Sequence, residues 1–303
     1  MTMKHKKLGL IAFSALSLFL TACSFNKVFL QQTKMGASTK RLAFRTASDS
    51  VVVFFSGENH QPVFTRNGKD TIDMGFTIES VIFKSADGNM LNGWFLKPKN
   101  TTAAITLLHF HGNAGFLLSQ YNAIAPLLNK GFQIFMFDYS GFGFSEGKAT
   151  RKNVLTDALS ALDYIKTRPE IKDTKLVIYG QSLGGHLAAV VVAKRQSQID
   201  GLVIEGAFSS HKDIASYEIP FLGRILVKQG YSAVKSIQSF HKPLLVIHST
   251  EDQVVPFYMG KKIFEKANSP KEFYEVKKCH ICASTYYTEE ISQKIKAMLA
   301  IIK

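Results

Sequence analysis

From Thr77 to the C-terminus, short apolar runs alternate with segments in which apolar residues recur every three or four positions. The first pattern predicts strands buried on both faces, the second amphipathic helices. Ile78 to Phe83 and Met90 to Leu96, separated by a turn at Asp87-Gly88, predict a β-hairpin. Ala103 to Phe110 predicts a strand, Leu117 to Asn129 a helix stopped at Gly131, and Phe132 to Phe137 another strand. Next come a helix over Val154 to Lys166, a strand over Lys175 to Tyr179, a helix over Leu183 to Lys194 and a strand over Leu202 to Glu205. The last units are Pro243 to His248 (strand), Tyr258 to Ala267 (helix), Glu272 to Val276 (strand) and Thr288 to Ile302 (helix). This alternation implies an α/β domain over residues 77–303: a mostly parallel sheet, helices on both faces, and chemistry at the carboxyl ends of the strands.

Upstream the pattern changes. Ser24 to about Phe76 is polar and irregular, with one apolar run, Val51-Val52-Val53-Phe54-Phe55, that predicts a strand; residues 23–76 read as a tether and leading element. Before it, Lys4, Lys6 and Lys7 precede an uncharged apolar run from Leu8 to Leu20, the layout of a signal peptide over residues 1–22. That run is short for a permanent membrane span. It ends in Leu20-Thr21-Ala22-Cys23, which resembles the bacterial lipobox, implying cleavage before a lipid-modified Cys23. The competing readings are an uncleaved signal anchor and a secretory signal with an incidental cysteine. Ser24 after the cysteine resembles the residue that permits outer-membrane sorting, so the expected address is the bacterial envelope, at the periplasmic face of the outer membrane.

Composition is that of a folded protein: 46% hydrophobic and 20% charged over 303 residues, enough for one full catalytic core. The formal charge is +14, of which the leader lysines contribute three. Such a balance suits anionic lipid headgroups or acidic substrates, or serves solubility alone. Nucleic acid is not expected as a partner, because no nucleic-acid motif accompanies the charge.

The chemistry centres on Gly180-Gln181-Ser182-Leu183-Gly184, a nucleophile elbow placed between a predicted strand and a predicted helix. The two glycines are needed because side chains there would collide where strand and helix meet. A serine hydroxyl needs a base and a carboxylate that orients the base, and on such sheets the chain order is serine, acid, histidine. Asp252 lies just beyond a strand end, and His280 is the one histidine that follows it. Glu251 and Glu205 are the alternative acids. The oxyanion donors expected are the backbone N–H of Leu183, directly after the serine, and that of Asn113 in the loop after an early strand. In that loop His111 is expected to brace the backbone, with His109 buried beside it.

Together, His111-Gly112-Asn113-Ala114-Gly115, Asp138-Tyr139-Ser140-Gly141-Phe142-Gly143-Phe144-Ser145-Glu146-Gly147 and Gly180-Gln181-Ser182-Leu183-Gly184-Gly185 resemble the α/β-hydrolase superfamily. More narrowly they look like the branch that holds eukaryotic protein depalmitoylases and many bacterial hydrolases. Ser140 stands where that branch commonly has arginine, and Ile281 where a polar residue is usual. The resemblance implies an α/β-hydrolase fold and cleavage of an acyl ester or thioester. No cofactor is expected, and the sequence offers no ligand set for a metal. A lipase or lysophospholipase acting on envelope lipids is the runner-up, and a noncatalytic binding protein the contrasting class. Residues 207–242 are expected to form a small helical cap. Cys279 and Cys282 bracket His280 and either close as a disulfide in an oxidising compartment or remain two thiols.

Overall fold

The computed structural model describes residues 29–45 and 49–300. The leader, Cys23 and the proposed cleavage site lie outside the described residues. The strands are β1 (Gln31–Gln32), β2 (Arg41–Arg45), β3 (Ser50–Ser56), β4 (Gln61–Arg66), β5 (Asp70–Thr71), β6 (Phe76–Lys84), β7 (Met90–Pro98), β8 (Ile105–Phe110), β9 (Ala114–Gly115), β10 (Phe132–Phe137), β11 (Lys175–Gln181), β12 (Gly201–Glu205), β13 (Leu244–Ser249) and β14 (Lys271–Val276). Eight of them form one sheet in the order β14-β13-β12-β11-β8-β10-β7-β6. Only β7 runs against its neighbours, as the first hairpin demands. The rest are parallel.

Side-chain alternation along the central strands divides the core in two. Leu108, Phe110, Leu176, Ile178, Leu244 and Val246 face one layer, whereas Leu107, Val177, Tyr179, Leu245 and Ile247 face the other. The first layer is covered by α2 (Arg151–Ile165), capped by the Thr150 hydroxyl, together with α3 (Leu183–Arg195) and α7 (Phe257–Lys266). The second is covered by α9 (Thr288–Ala300) and by the stretch between β9 and β10. Because every β8 and β10 residue is buried, the sequences ITLLHF and FQIFMF are apolar nearly throughout.

Two expectations need correction. The single helix over Leu117 to Asn129 is instead a short α1 (Leu117–Gln120) followed by two 3₁₀ turns, Tyr121–Ala123 and Ala125–Lys130. Pro126 has no N–H to continue the ladder, which breaks it; Gly131 does end it in the left-handed region, at φ 82°. The leading segment holds more than one strand: β2-β3-β4-β5 form an antiparallel sheet, with Val53, Phe55 and Phe64 in the second core layer. The β4–β5 turn carries Asn67 and Gly68, both at positive φ, the pairing that suits a tight hairpin.

Four buried histidines tie this fold to pH. Burial pushes His109 and His186 down to about 4, His111 to about 3 and His211 to about 2. Each is neutral in the fold but takes up a proton in the unfolded chain below about pH 6.5. Stability is thus full above that value and is lost as pH falls toward the folded values, by up to about 1.4 kcal/mol per pH unit for each ring. Thermal scans from pH 7 to pH 5 are expected to show a falling Tm; a flat Tm would mean that these rings do not gain protons on unfolding.

Candidate active site

The elbow is built as the glycine spacing requires. Ser182 sits between β11 and α3 at φ 53°, ψ −115°, a backbone state that a residue with a side chain rarely holds. A Cβ on Gly180 would strike the Gly184 carbonyl, and one on Gly184 would strike the Phe110 carbonyl. Gly185 leaves a Cβ position only 2.8 Å from Ala207 Cβ, so α3 packs close against the end of β12. The Ser182 N–H donates to the Glu205 carbonyl at 2.8 Å, which pins the elbow to that strand.

Asp252 follows β13, and its carboxylate is almost fully enclosed. Its Oδ1 accepts the Val254 and Val255 N–H groups, each at 2.8 Å, and its Oδ2 accepts His280 Nδ1–H at 2.6 Å. Burial alone would raise the Asp252 pKa, but hydrogen bonds with His248 and His280 and the His280 charge outweigh it and hold the carboxyl well below its ordinary range. Of the three carboxylates considered, Asp252 is the one hydrogen bonded to His280. Glu251 accepts the Lys278 N–H at 2.9 Å. Glu205 is buried and engaged by other donors.

With Nδ1 committed to Asp252, Nε2 is the nitrogen left to exchange protons. The His280 ring packs on Gly206, where a Cβ would approach it to 3.1 Å. Gly206 follows Glu205, the residue that holds the Ser182 N–H. Gly112 completes the enclosure: its Cβ position lies 3.8 Å from both Ser182 Cβ and Ile281 Cδ1. Among the described residues no direct Ser182–His280 hydrogen bond is formed; such contacts often tighten only when substrate binds. Cys279 and Cys282 are joined as a disulfide across the histidine.

Asn113, Ser182 and Leu183 line one cavity of about 230 Å³. Its remaining wall is mostly apolar, from Phe29, Phe208, Ile214, Val254 and Val255, with Gln31 and Glu218 as polar members. Phe208, Ile214 and Glu218 belong to the segment expected as a cap, which holds α4 (His211–Glu218), α5 (Gly223–Leu226) and α6 (Ala233–Ser236). His111 is buried, with Nδ1 2.8 Å from the Gly112 carbonyl, and the Tyr139 hydroxyl donates to the His111 carbonyl at 3.0 Å. Both bonds brace the loop before Asn113.

Two features escaped the sequence reading. The first is a buried polar chain under the elbow: His109 Nε2 lies 2.9 Å from Gln181 Oε1, and Gln181 Nε2 and the Tyr179 hydroxyl donate to Glu205 Oε2, each at 2.8 Å. Glu205 Oε1 accepts the Ala283 N–H at 2.8 Å, so this chain clasps the segment just after His280. A charged residue ending the apolar run Gly201–Glu205 was the available signal. The second is the N-terminal segment. β1 pairs in parallel with β9; the Gln31 N–H donates to the Asn113 carbonyl at 2.8 Å and the Thr33 N–H to Gly115 at 3.2 Å. Farther along, the Gly143 N–H donates to Thr33 and the Met35 N–H to Gly143. The strap has no apolar periodicity that would have disclosed it.

Among the described residues no cluster of three or more His, Cys, Asp or Glu could hold a metal ion, and no helix is long and apolar enough to cross a membrane.

An eight-stranded sheet with one antiparallel partner, an elbow at a strand-to-helix turn and a carboxylate–histidine pair at neighbouring strand ends define the α/β-hydrolase class. Residues 105–224 match the family described as "alpha/beta hydrolase fold". The chain is 37% identical over 210 residues to the uncharacterized protein YfhR of Salmonella typhi, with 64% of this chain and 71% of YfhR covered. It is 30% identical to the protein bem46 of Schizosaccharomyces pombe, over 66% of this chain and 70% of bem46. A solved structure of similar shape is the esterase Pf2001 of Pyrococcus furiosus, with a TM-score of 0.61 at 19% identity, covering 74% of this chain and 92% of the esterase. The chain belongs to the α/β-hydrolase superfamily.

Proposed function

We propose that this protein is a membrane-tethered serine hydrolase that cleaves carboxylic esters or thioesters through an acyl-enzyme. The observation that carries the reading is the 2.6 Å bond between Asp252 and His280, on a ring packed against the strand end that pins Ser182. His280 Nε2 takes the Ser182 proton as Oγ attacks the substrate carbonyl carbon, and the carbonyl π electrons move to oxygen. The Asn113 and Leu183 N–H groups receive that oxyanion. As the tetrahedral species collapses, the alcohol or thiol leaves with the proton from His280. Water then attacks the acyl-Ser182 ester by the same steps in reverse order of partners, and the free acid departs. Asp252 stays ionised throughout, stabilising the transient imidazolium.

The apolar wall of the cavity suits the acyl side of the substrate. Glu218 in that wall disfavours an acyl group that ends in a carboxylate. A fluorophosphonate probe tests the chemistry: the folded protein is expected to be labelled and Ser182→Ala is not, whereas an unlabelled folded protein overturns the proposal. The tether is tested separately. Radiolabelled palmitate is expected to enter the wild-type chain in bacteria and to be absent from Cys23→Ser.

The strap gives a further expectation. Gln31→Pro removes the N–H that holds the Asn113 carbonyl, while Gln31→Ala keeps it. The proline variant is expected to lose about tenfold to a hundredfold in kcat through displacement of the oxyanion loop. The alanine variant should retain most activity; equal activity in all three proteins would show that the strap does not position the loop.

A further inference from the structure

The cap carries a concentration of exposed apolar side chains that the catalytic proposal does not use. Of the eleven exposed large hydrophobic residues among the described residues, five fall within nine positions: Tyr217, Ile219, Phe221, Leu222 and Ile225. Phe221 is 93% exposed and Ile225 80%. Of two more, Val254 lines the cavity and Tyr258 lies on α7. The two sides are tied together, since Asp213 of α4 pairs with Lys262 of α7 at 2.7 Å and with Arg224 of α5 at 3.2 Å.

Phe221 is also held in a strained backbone, at φ 66°, where a bulky side chain is unusual. The turn that holds it is fixed from behind. The Gly223 N–H donates to the Ile219 carbonyl at 2.8 Å, and Gly223 lies so close to the Ala215 carbonyl that no side chain fits there. The turn therefore presents Phe221 to the outside rather than folding it under the cap. An outlier and a large apolar exposure at one residue call for something that covers it.

We infer that residues 217–225 form an insertion face that dips into an anionic phospholipid bilayer, so that the cavity receives its acyl group from the membrane. Three observations select lipid as the occupant. α4 supplies both the exposed Tyr217 and the cavity-lining Ile214 and Glu218, so the face borders the cavity. Phe29 lines the same cavity and lies six residues after Cys23, a span of at most about 20 Å even when fully extended. Without its three leader lysines the chain keeps a net charge of 14 − 3 = +11, which complements anionic headgroups. The inference rests on the proposed lipid at Cys23 and on the cavity as the acyl site.

The full lipid-bearing chain, reconstituted in phosphatidylethanolamine–phosphatidylglycerol vesicles, tests it without relying on catalysis. The protein's one tryptophan, Trp94, is buried, so Phe221→Trp adds a single surface reporter. With brominated acyl chains its added emission is expected to shift to the blue and lose more than about half its intensity, equally in the Ser182→Ala background. Emission quenched by aqueous acrylamide instead would overturn the inference. So would emission shielded from both quenchers, which would mark a face covered by protein or a second copy. A Phe221→Asp/Ile225→Asp variant is expected to hydrolyse a vesicle-embedded ester about tenfold more slowly while turnover of a soluble short ester stays within about twofold; equal loss on both substrates would also overturn it. If the wild type hydrolysed neither ester, the catalytic proposal would fall, and the brominated-lipid result would still decide insertion.

Discussion

Alanine in place of His280 is expected to lower kcat for ester hydrolysis by about a million-fold, the scale of removing the base from a triad that acts as a unit. KM should change little, because the cavity is lined by other side chains. Asp252→Asn is the more informative partner, with an expected loss of about ten-thousand-fold. Asn can still accept the Val254 and Val255 N–H groups through one oxygen. Its amide then points at His280, which must offer Nδ1 as an acceptor and carry its proton on Nε2. That tautomer cannot accept the Ser182 proton. Stopped-flow and steady-state assays of both variants check this, and an Asp252→Asn enzyme within tenfold of wild type would remove Asp252 from the proposed mechanism.

The second large effect is on stability. Glu205→Leu is expected to cost about 3–5 kcal/mol, because Tyr179, Gln181 and Ala283 each lose the acceptor they are buried against. Burial raises the Glu205 pKa, against the three hydrogen bonds and the nearby His280 that lower it, so removing the carboxylate strands donors rather than relieving a charge alone. For a domain this size the loss corresponds to a Tm drop of about 10 °C. Glu205→Gln keeps one acceptor oxygen and should fall between. Differential scanning calorimetry separates the three proteins, and Leu and Gln variants with equal Tm would mean that the donors find other partners.

These two sites differ in how plainly the sequence shows them. The turn at Ser182 was legible because glycines at 180 and 184 have a steric cause that acts over four residues, and the Asp252–His280 pairing because chain order leaves one histidine after Asp252. The strands β8, β10, β11 and β13 were legible because burial on both faces writes an unbroken apolar run. In the sequence Glu205 stands only as a rival acid, since its role depends on donors from Tyr179, Gln181 and Ala283 that distance along the chain conceals. β1 is held by backbone hydrogen bonds to Asn113 and Gly115, and backbone pairing leaves no mark on composition. The small antiparallel sheet was partly legible: Asn67-Gly68 between two β-prone runs is a hairpin signal that the irregular residues around it obscure. The break in the helix after Leu117 could have been placed at Pro126, a residue that the apolar spacing of Leu117 to Asn129 outweighs.

The pairing of β1 with β9 also fixes an order of assembly. The strap is made early and its partners late: Gln31 waits for Asn113, Thr33 for Gly143, and Asp252 for His280. Contacts so distant in sequence close slowly and late in folding. On the proposed export route, with the N-terminus first, the chain would carry an incomplete Asp252–His280 pair until residue 280 has passed. On that same route the proposed acyl-cleaving site would be completed only after residue 280 has crossed, with no separate inhibitor required to keep the nascent protein silent.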